Sequence, residues 1–211
     1  MPAAHAGPYV SGMISDRRLR WHVFWCRRKS DTKSRFLLEL ARTVARAPRV
    51  PDPPPLLEIG TRSGGSALLM LRVLNDVYPR GTRPYEGSPS LYDERHYRAM
   101  KRNLAPYANH IHYMMDSTLF LQTLGAGLYL WIDGTKRPVD QFTLVYLDGS
   151  HDPAIVWSEI EQLSQRVVPG GFLIVDDTDW FGGEVRRRLE ADAPRLGVRL
   201  RHNGKQTILE R

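Results

Sequence analysis

Residues 143–177 read TLVYLDGSHDPAIVWSEIEQLSQRVVPGGFLIVDD. The stretch opens with a short apolar run, Thr143-Leu144-Val145-Tyr146-Leu147, that ends at Asp148. A segment with helical periodicity follows, and a second apolar run, Gly171-Phe172-Leu173-Ile174-Val175, ends on paired acids, Asp176 and Asp177. Two apolar runs joined by an amphipathic helix predict a βαβ unit with parallel strands and a right-handed crossover. Both strands then finish on the same edge of the sheet. Asp148, His151, Asp176 and Asp177 therefore fall on one rim, the carboxyl edge where open α/β folds place their sites.

The rest of the chain is consistent with an α/β domain built around that unit. Its 211 residues suffice for one domain with a sizeable core. With 42% hydrophobic and 25% charged residues, the composition is that of an ordinary globular protein. No apolar stretch approaches the roughly 18–20 residues of a membrane helix, and the N-terminus has no basic region followed by an apolar one, so no signal peptide is expected. A single cysteine, Cys26, excludes an internal disulfide and points to a reducing, cytoplasmic setting. The net charge of +7 comes mostly from arginine, since only five of the 30 cationic residues are lysines. Such a balance fits either a nucleic-acid or anionic partner or a solvated surface; the arginines are spread along the chain, which favours the surface.

Residues 1–50 are expected to form an N-terminal helical cap or lid, and residues 51–211 the main domain. Within the first part, residues 18–28 are dense in aromatics (Trp21, Phe24, Trp25) and predict a short helix that covers a pocket or packs on a second copy of the chain. Homo-oligomerisation stays open on this reading. Ser30 and Asp31 are cap-type residues ahead of a helix predicted over 32–47, with Phe36, Leu37, Leu40, Val44 and Ala47 at helical spacing. Pro48 and the prolines among residues 51–55 form a stiff linker.

The first core strand is Leu56-Leu57-Glu58-Ile59. Gly60-Thr61-Arg62-Ser63-Gly64-Gly65-Ser66 follows it, then a helix over 66–77. A glycine-rich turn between a strand and a helix lets a ligand approach the backbone, with helix N–H groups facing it. A helix is predicted over 90–105, a strand over 111–115, and a hairpin at the C-terminus, where Asn203-Gly204 separates two alternating runs. Residues 128–132 read either as an extra strand or as a continuation of the preceding helix, with a turn at Asp133-Gly134.

Together, Glu58-Ile59-Gly60-x-x-x-Gly64, Asp148-Gly-Ser-His151 and Pro169-Gly-Gly…Asp176-Asp177 resemble class I S-adenosylmethionine methyltransferases. Within these they look most like the metal-dependent O-methyltransferases of the macrocin O-methyltransferase-like group, and more distantly like catechol O-methyltransferase. The resemblance spans about residues 56–180. It implies a Rossmann-like, mostly parallel sheet with helices on both faces and a C-terminal antiparallel hairpin. It further implies S-adenosylmethionine held by Glu58, Gly60, Thr61, Ser63, Gly64, Ser66, Asp116, Ser117 and Asp148, with Mg²⁺ on Asp148, Asp176 and Asp177. The family's second strand ends in an acid that holds the ribose. Residues 74–87 contain no clear apolar run, residues 84–89 read as a rim loop, and neither Asp76 nor Glu86 is well placed, so that role stays unassigned.

On their own chemistry, three carboxylates offer hard oxygen donors that suit Mg²⁺ better than zinc; the alternative is that they cap local turns. Asp116 reads as the N-cap of a helix from residue 118, as an adenine contact, or both. An imidazole ordinarily titrates near neutrality, which suits His151 as a general base toward an acceptor hydroxyl. The competing role is a hydrogen bond at a helix start. Trp21, Trp25, Trp157 and Trp180 are candidates for the acceptor pocket or for the core, with Trp180 foremost.

The function expected from these readings is Mg²⁺-dependent O-methylation of a small-molecule natural product, a sugar, macrolide or phenol. A nucleic-acid methyltransferase, a non-catalytic partner protein with the same fold, and a metal phosphohydrolase suggested by His151-Asp152 are the other readings.

Overall fold

The computed structural model describes residues 14–50, 53–78, 85–90, 93–132, 135–202 and 204–211; for residues 86, 88, 90, 131 and 132 it describes the backbone alone. Among the described residues no helix is long and apolar enough to cross a membrane.

Two helices precede the sheet, α1 (Asp16–Cys26) and α2 (Ser34–Arg46). Leu19, Val23 and Cys26 of α1 and Leu37, Leu40 and Val44 of α2 share one core cluster with sheet residues Leu56, Leu144 and Tyr146. A buried His22 fixes α1 further: Arg72 donates to its Nδ1 at 3.1 Å, so its Nε2 carries the proton toward Asp76, 2.6 Å away. Ser30 and Asp31 do not cap α2 as the sequence suggested. Ser30 accepts from the Thr32 N–H in the turn before it, and Asp31 pairs with Arg62.

The sheet strands are β1 (Leu56–Ile59), β2 (Glu86–Ser90), β3 (His110–Met114), β6 (Phe142–Leu147), β7 (Val167–Val175), β8 (Arg199–His202) and β9 (Thr207–Glu210). Their spatial order is β3-β2-β1-β6-β7-β9-β8. The first five run parallel and the last two form the antiparallel hairpin. Helices α3 (Gly65–Val77), α4 (Glu94–Leu104), α5 (Ser117–Gly127), α6 (Pro153–Ser164) and α7 (Glu184–Asp192) make the connections. The predicted βαβ unit is thus β6-α6-β7, with Leu147 paired to Val175 at the ends of its strands. Residues 128–132 are a strand, β4 (Leu128–Ile132), which among the described residues pairs only with β5 (Thr135–Val139), in a separate ribbon. The expected turn at Asp133-Gly134 and Asn203 of the hairpin signal lie outside the described residues.

Alternation along the central strands divides the core into two. Leu144, Tyr146, Phe172 and Ile174 face the α1–α4 side; Val145, Leu147, Leu173 and Val175 face the α5–α7 side. Strands buried on both faces are why β6 reads as an unbroken apolar run.

The second strand corrects the sequence reading. Residues 86–90 (EGSPS) carry no apolar side chain except proline, yet all five pair with β3, and Glu86 and Gly87 pair with β1 as well. Ladder pairing with two neighbours holds this strand without an apolar run. Pro89, which has no N–H to give, lies beyond the last β1 pair, and its carbonyl accepts from the Gly60 N–H at 3.3 Å.

Candidate active site

After β1 the chain turns out to β2 and β3 and returns to β6 on the other side of β1, so the strand order reverses between β1 and β6. A crevice is expected at the carboxyl ends of those strands. A cleft of about 1100 Å³ lies there, and it is lined by Gly60, Thr61, Ser63, Ser66, Asp116, Ser117, Asp148, His151, Asp176 and Asp177. Of the predicted cofactor residues, Glu58 and Gly64 are not in its lining.

Both of those residues shape the turn from behind. Glu58 alternates to the inner face of β1 and is fully buried, where its carboxylate accepts from Thr61 Oγ1 at 2.8 Å and from Ser66 Oγ. Burial raises its pKa to about 7, against the pull of those two hydroxyls. Gly64 stands at the N-cap of α3 with φ +80°, a left-handed conformation that glycine adopts without strain. Gly60, at φ +97°, lies so close to the Asp148 carbonyl that a Cβ would overlap it. The turn is therefore locked against the end of β6.

The acid rim is built by register. The Asp148 N–H donates to Ile59 O and the Asp176 N–H to Leu147 O, each at 2.9 Å, which sets Gly60, Asp148 and Asp176 side by side. The Tyr146 hydroxyl sits between the two acids, 2.7 Å from Asp176 Oδ2 and 3.2 Å from Asp148 Oδ2. Burial, then the charges of Asp176, Glu58 and Asp177, pushes Asp148 well above the usual carboxylate range; burial likewise raises Asp176. Burial and the two carboxylates hold the Tyr146 phenol in its protonated form. Asp177 takes a left-handed backbone, φ +52°, that turns its carboxylate to an ion pair with Lys205. His151 Nδ1 is 3.7 Å from the other oxygen of that carboxylate.

This arrangement does not fit the divalent cation that the resemblance implies. The three acids reach one rim, but each already has a protein partner there: the Tyr146 hydroxyl lies within hydrogen-bond distance of Asp148 and Asp176, and Lys205 pairs with Asp177. Among the described residues no group of three acid, imidazole or thiol side chains is disposed to hold a cation.

At one end of the cleft, the His151 ring lies against Trp180 with centroids 4.2 Å apart and planes tilted by 31°. Of the four candidate tryptophans, Trp180 lines the cleft, Trp157 is in the core, and Trp21 and Trp25 are exposed on α1 beside Phe24. His151 precedes α6, whose N-cap is Asp152; the Asp152 carboxylate is engaged by the Ala154 N–H at 2.8 Å.

At the opposite end, Asp116 does cap α5, accepting from the Leu119 N–H at 2.8 Å, while lining the cleft beside Ser117. Asp93 was missed in the sequence. It follows β2 by three positions, caps α4 through the His96 N–H at 2.8 Å, and lines the same end of the cleft. The available signal was an acid three residues ahead of a histidine at a helix start, obscured once 84–89 read as a loop. Asp76, one of the two acids considered earlier, is committed to Arg18 and His22; the side chain of the other, Glu86, lies outside the described residues.

The cleft as a whole is acidic. Asp31, Asp93, Asp116, Asp148, Asp176 and Asp177 line it with Lys29, Arg62 and Lys205. Asp31 pairs with Arg62 and Asp177 with Lys205, and the raised pKa values of Asp148 and Asp176 reduce their charge, so the excess negative charge rests chiefly on Asp93 and Asp116. That field attracts a cationic ligand and repels a polyanion.

Residues 57–178 match the family model described as a methyltransferase domain, and the chain belongs to that family. No curated protein matches it. Among solved structures it is similar to the O-methyltransferase TomG of tomaymycin synthesis from Streptomyces achromogenes, in complex with S-adenosylmethionine (SAM), at 18% identity over 94% of this chain and 91% of that one, TM-score 0.59. An O-methyltransferase from Bacillus cereus in complex with SAH is 14% identical over 95% and 93%, TM-score 0.59. A Corynebacterium glutamicum protein is 13% identical over 90% and 89%, TM-score 0.64. The fold is the Rossmann-like methyltransferase fold with its C-terminal antiparallel hairpin.

Proposed function

We propose that this protein is a SAM-dependent O-methyltransferase that methylates a hydroxyl of a small-molecule natural product, such as a sugar, a macrolide or a phenol. The observation that carries the reading is one acidic cleft joining the Gly60–Ser66 turn to the His151–Trp180 pair. SAM supplies a methyl group on a positively charged sulfur. The chain's contribution is to hold it: the turn at one end, Asp116 and Ser117 at the other, and Asp93 in place for the ribose hydroxyls. Glu58 acts beneath, keeping Thr61 and Ser66 in position.

His151 takes the proton of the acceptor hydroxyl as the oxygen bonds to the methyl carbon and the carbon–sulfur bond breaks. The adjacent Trp180 fixes the imidazole and offers a flat apolar wall to the acceptor. Alignment of oxygen, carbon and sulfur is where such a site gains most of its rate. The contacts of Tyr146 with Asp148 and Asp176, and of Lys205 with Asp177, support a reaction that runs without Mg²⁺. The acid lining disfavours RNA as the acceptor.

Calorimetry with SAM is expected to show one site per chain, and a mass-spectrometric screen of hydroxylated natural products to show methyl incorporation. His151→Ala should keep SAM affinity and lose ~10²–10⁴-fold in methyl transfer. Normal turnover in that variant returns His151 to a structural role, and methyl incorporation into RNA in place of small molecules overturns the substrate class.

A further inference from the structure

Carboxylates gathered on one strand edge either take up a proton, as the raised pKa of Asp148 favours, or need a counter-charge from an ion or from the protein itself. In this chain the protein provides it. Lys205 belongs to the turn between β8 and β9, and that turn is tied to the rim. The Thr178 N–H donates to the Lys205 carbonyl at 2.9 Å, and Thr178 Oγ1 to the Gly204 carbonyl at 2.6 Å. The ammonium meets Asp177, whose side chain is 13% exposed, and lies 5.7 Å from the centre of the Phe36 ring, a third anchor of cation–π type. The lysine side chain is itself 30% exposed, but separating the pair would leave the mostly buried Asp177 carboxylate without its cation. On the other side of the rim, the Tyr146 hydroxyl fills the space between Asp148 and Asp176.

We propose that Lys205 is the built-in cation of this site, so that the rim acts without a divalent metal and Lys205 provides the positive charge beside the acceptor oxygen as it loses its proton. The charge's purpose rests on the methyltransferase reading; the absence of metal affinity does not. Lys205 and His151 flank the same carboxylate, which places the positive charge and the base next to one another at the acceptor end of the cleft.

The test is Mn²⁺ binding by electron paramagnetic resonance, on chelator-treated full-length protein, with SAM calorimetry run in parallel. The wild-type chain is expected to leave Mn²⁺ free in solution. Lys205→Met combined with Tyr146→Phe, checked for folding by circular dichroism, should take up one Mn²⁺ per chain. Stoichiometric Mn²⁺ on the wild-type chain overturns the proposal, as does a folded double variant that gains no affinity. If the variant fails to fold, the wild-type titration decides. With a methyl acceptor in hand, EDTA should leave wild-type turnover unchanged, and Lys205→Arg should retain more of it than Lys205→Met; loss on EDTA treatment overturns the assignment. Failure of SAM to bind would instead remove the methyltransferase reading while the Mn²⁺ result still stands.

Discussion

Gly60 and Gly64 look interchangeable in sequence, but their surroundings differ. At Gly60 a Cβ would overlap the Asp148 carbonyl, a rigid strand end, in a backbone conformation of φ +97°. At Gly64 it would meet the flexible Leu104 side chain, 3.2 Å away. Gly60→Ala is therefore expected to cost ~2–4 kcal/mol from strain and overpacking together, and Gly64→Ala ~1 kcal/mol from backbone strain. Urea denaturation of the two variants measures both; equal midpoints would refute the distinction. Glu58 carries a related lesson. Its place in the motif was readable, its job was not, because only packing shows that its carboxylate faces inward to Thr61 and Ser66.

Among the elements, β3 carries a titrating group outside the site. His110 is held down to about 4 by burial and by the nearby His112. Above the ordinary imidazole value of ~6.5, both folded and unfolded chains hold it neutral. As the pH falls from there toward 4, the unfolded chain takes up a proton that the folded chain refuses, so stability declines over that window. The loss should be on the order of 2 kcal/mol, discounted for the partial exposure of the ring. His110→Gln should flatten this part of the stability–pH profile; an unchanged slope would show that another group sets it. The neighbouring β2 explains why elements were harder to read than motifs. A strand stabilised by ladder bonds to two partners needs no apolar pattern, and EGSPS has none. Asp93 was lost with it, since its position is defined by the end of that strand.

Across the whole molecule, α1 is bound to the sheet domain by shared core and by the Arg18–Asp76–His22–Arg72 network. Burial of Leu19, Val23 and Cys26 is worth ~5 kcal/mol, comparable to the full margin of many domains. Removal of residues 1–29 is thus expected to abolish cooperative unfolding, read by calorimetry; a truncated chain that melts as sharply as the whole would show α1 to be a detachable cover. The cleft reaches into this same region, through Lys29, Ser30, Asp31 and Thr32.

The sequence alone determined the βαβ unit, the glycine turn, the acids on one edge and the closing hairpin. Each is written in local periodicity and turn chemistry, which act over a few residues and survive any tertiary context. What the acids do with one another was decided elsewhere. Lys205 is 28 residues from Asp177 in the chain, and Tyr146 reads as one more apolar residue of a buried strand. Only the pairing of β9 with β7 and the register of β6 against β7 bring the ammonium and the phenol onto the rim. Charge balance is a property of space, not of spacing, and that is why the sequence showed three aspartates on one edge but neither the lysine nor the phenol that contacts them.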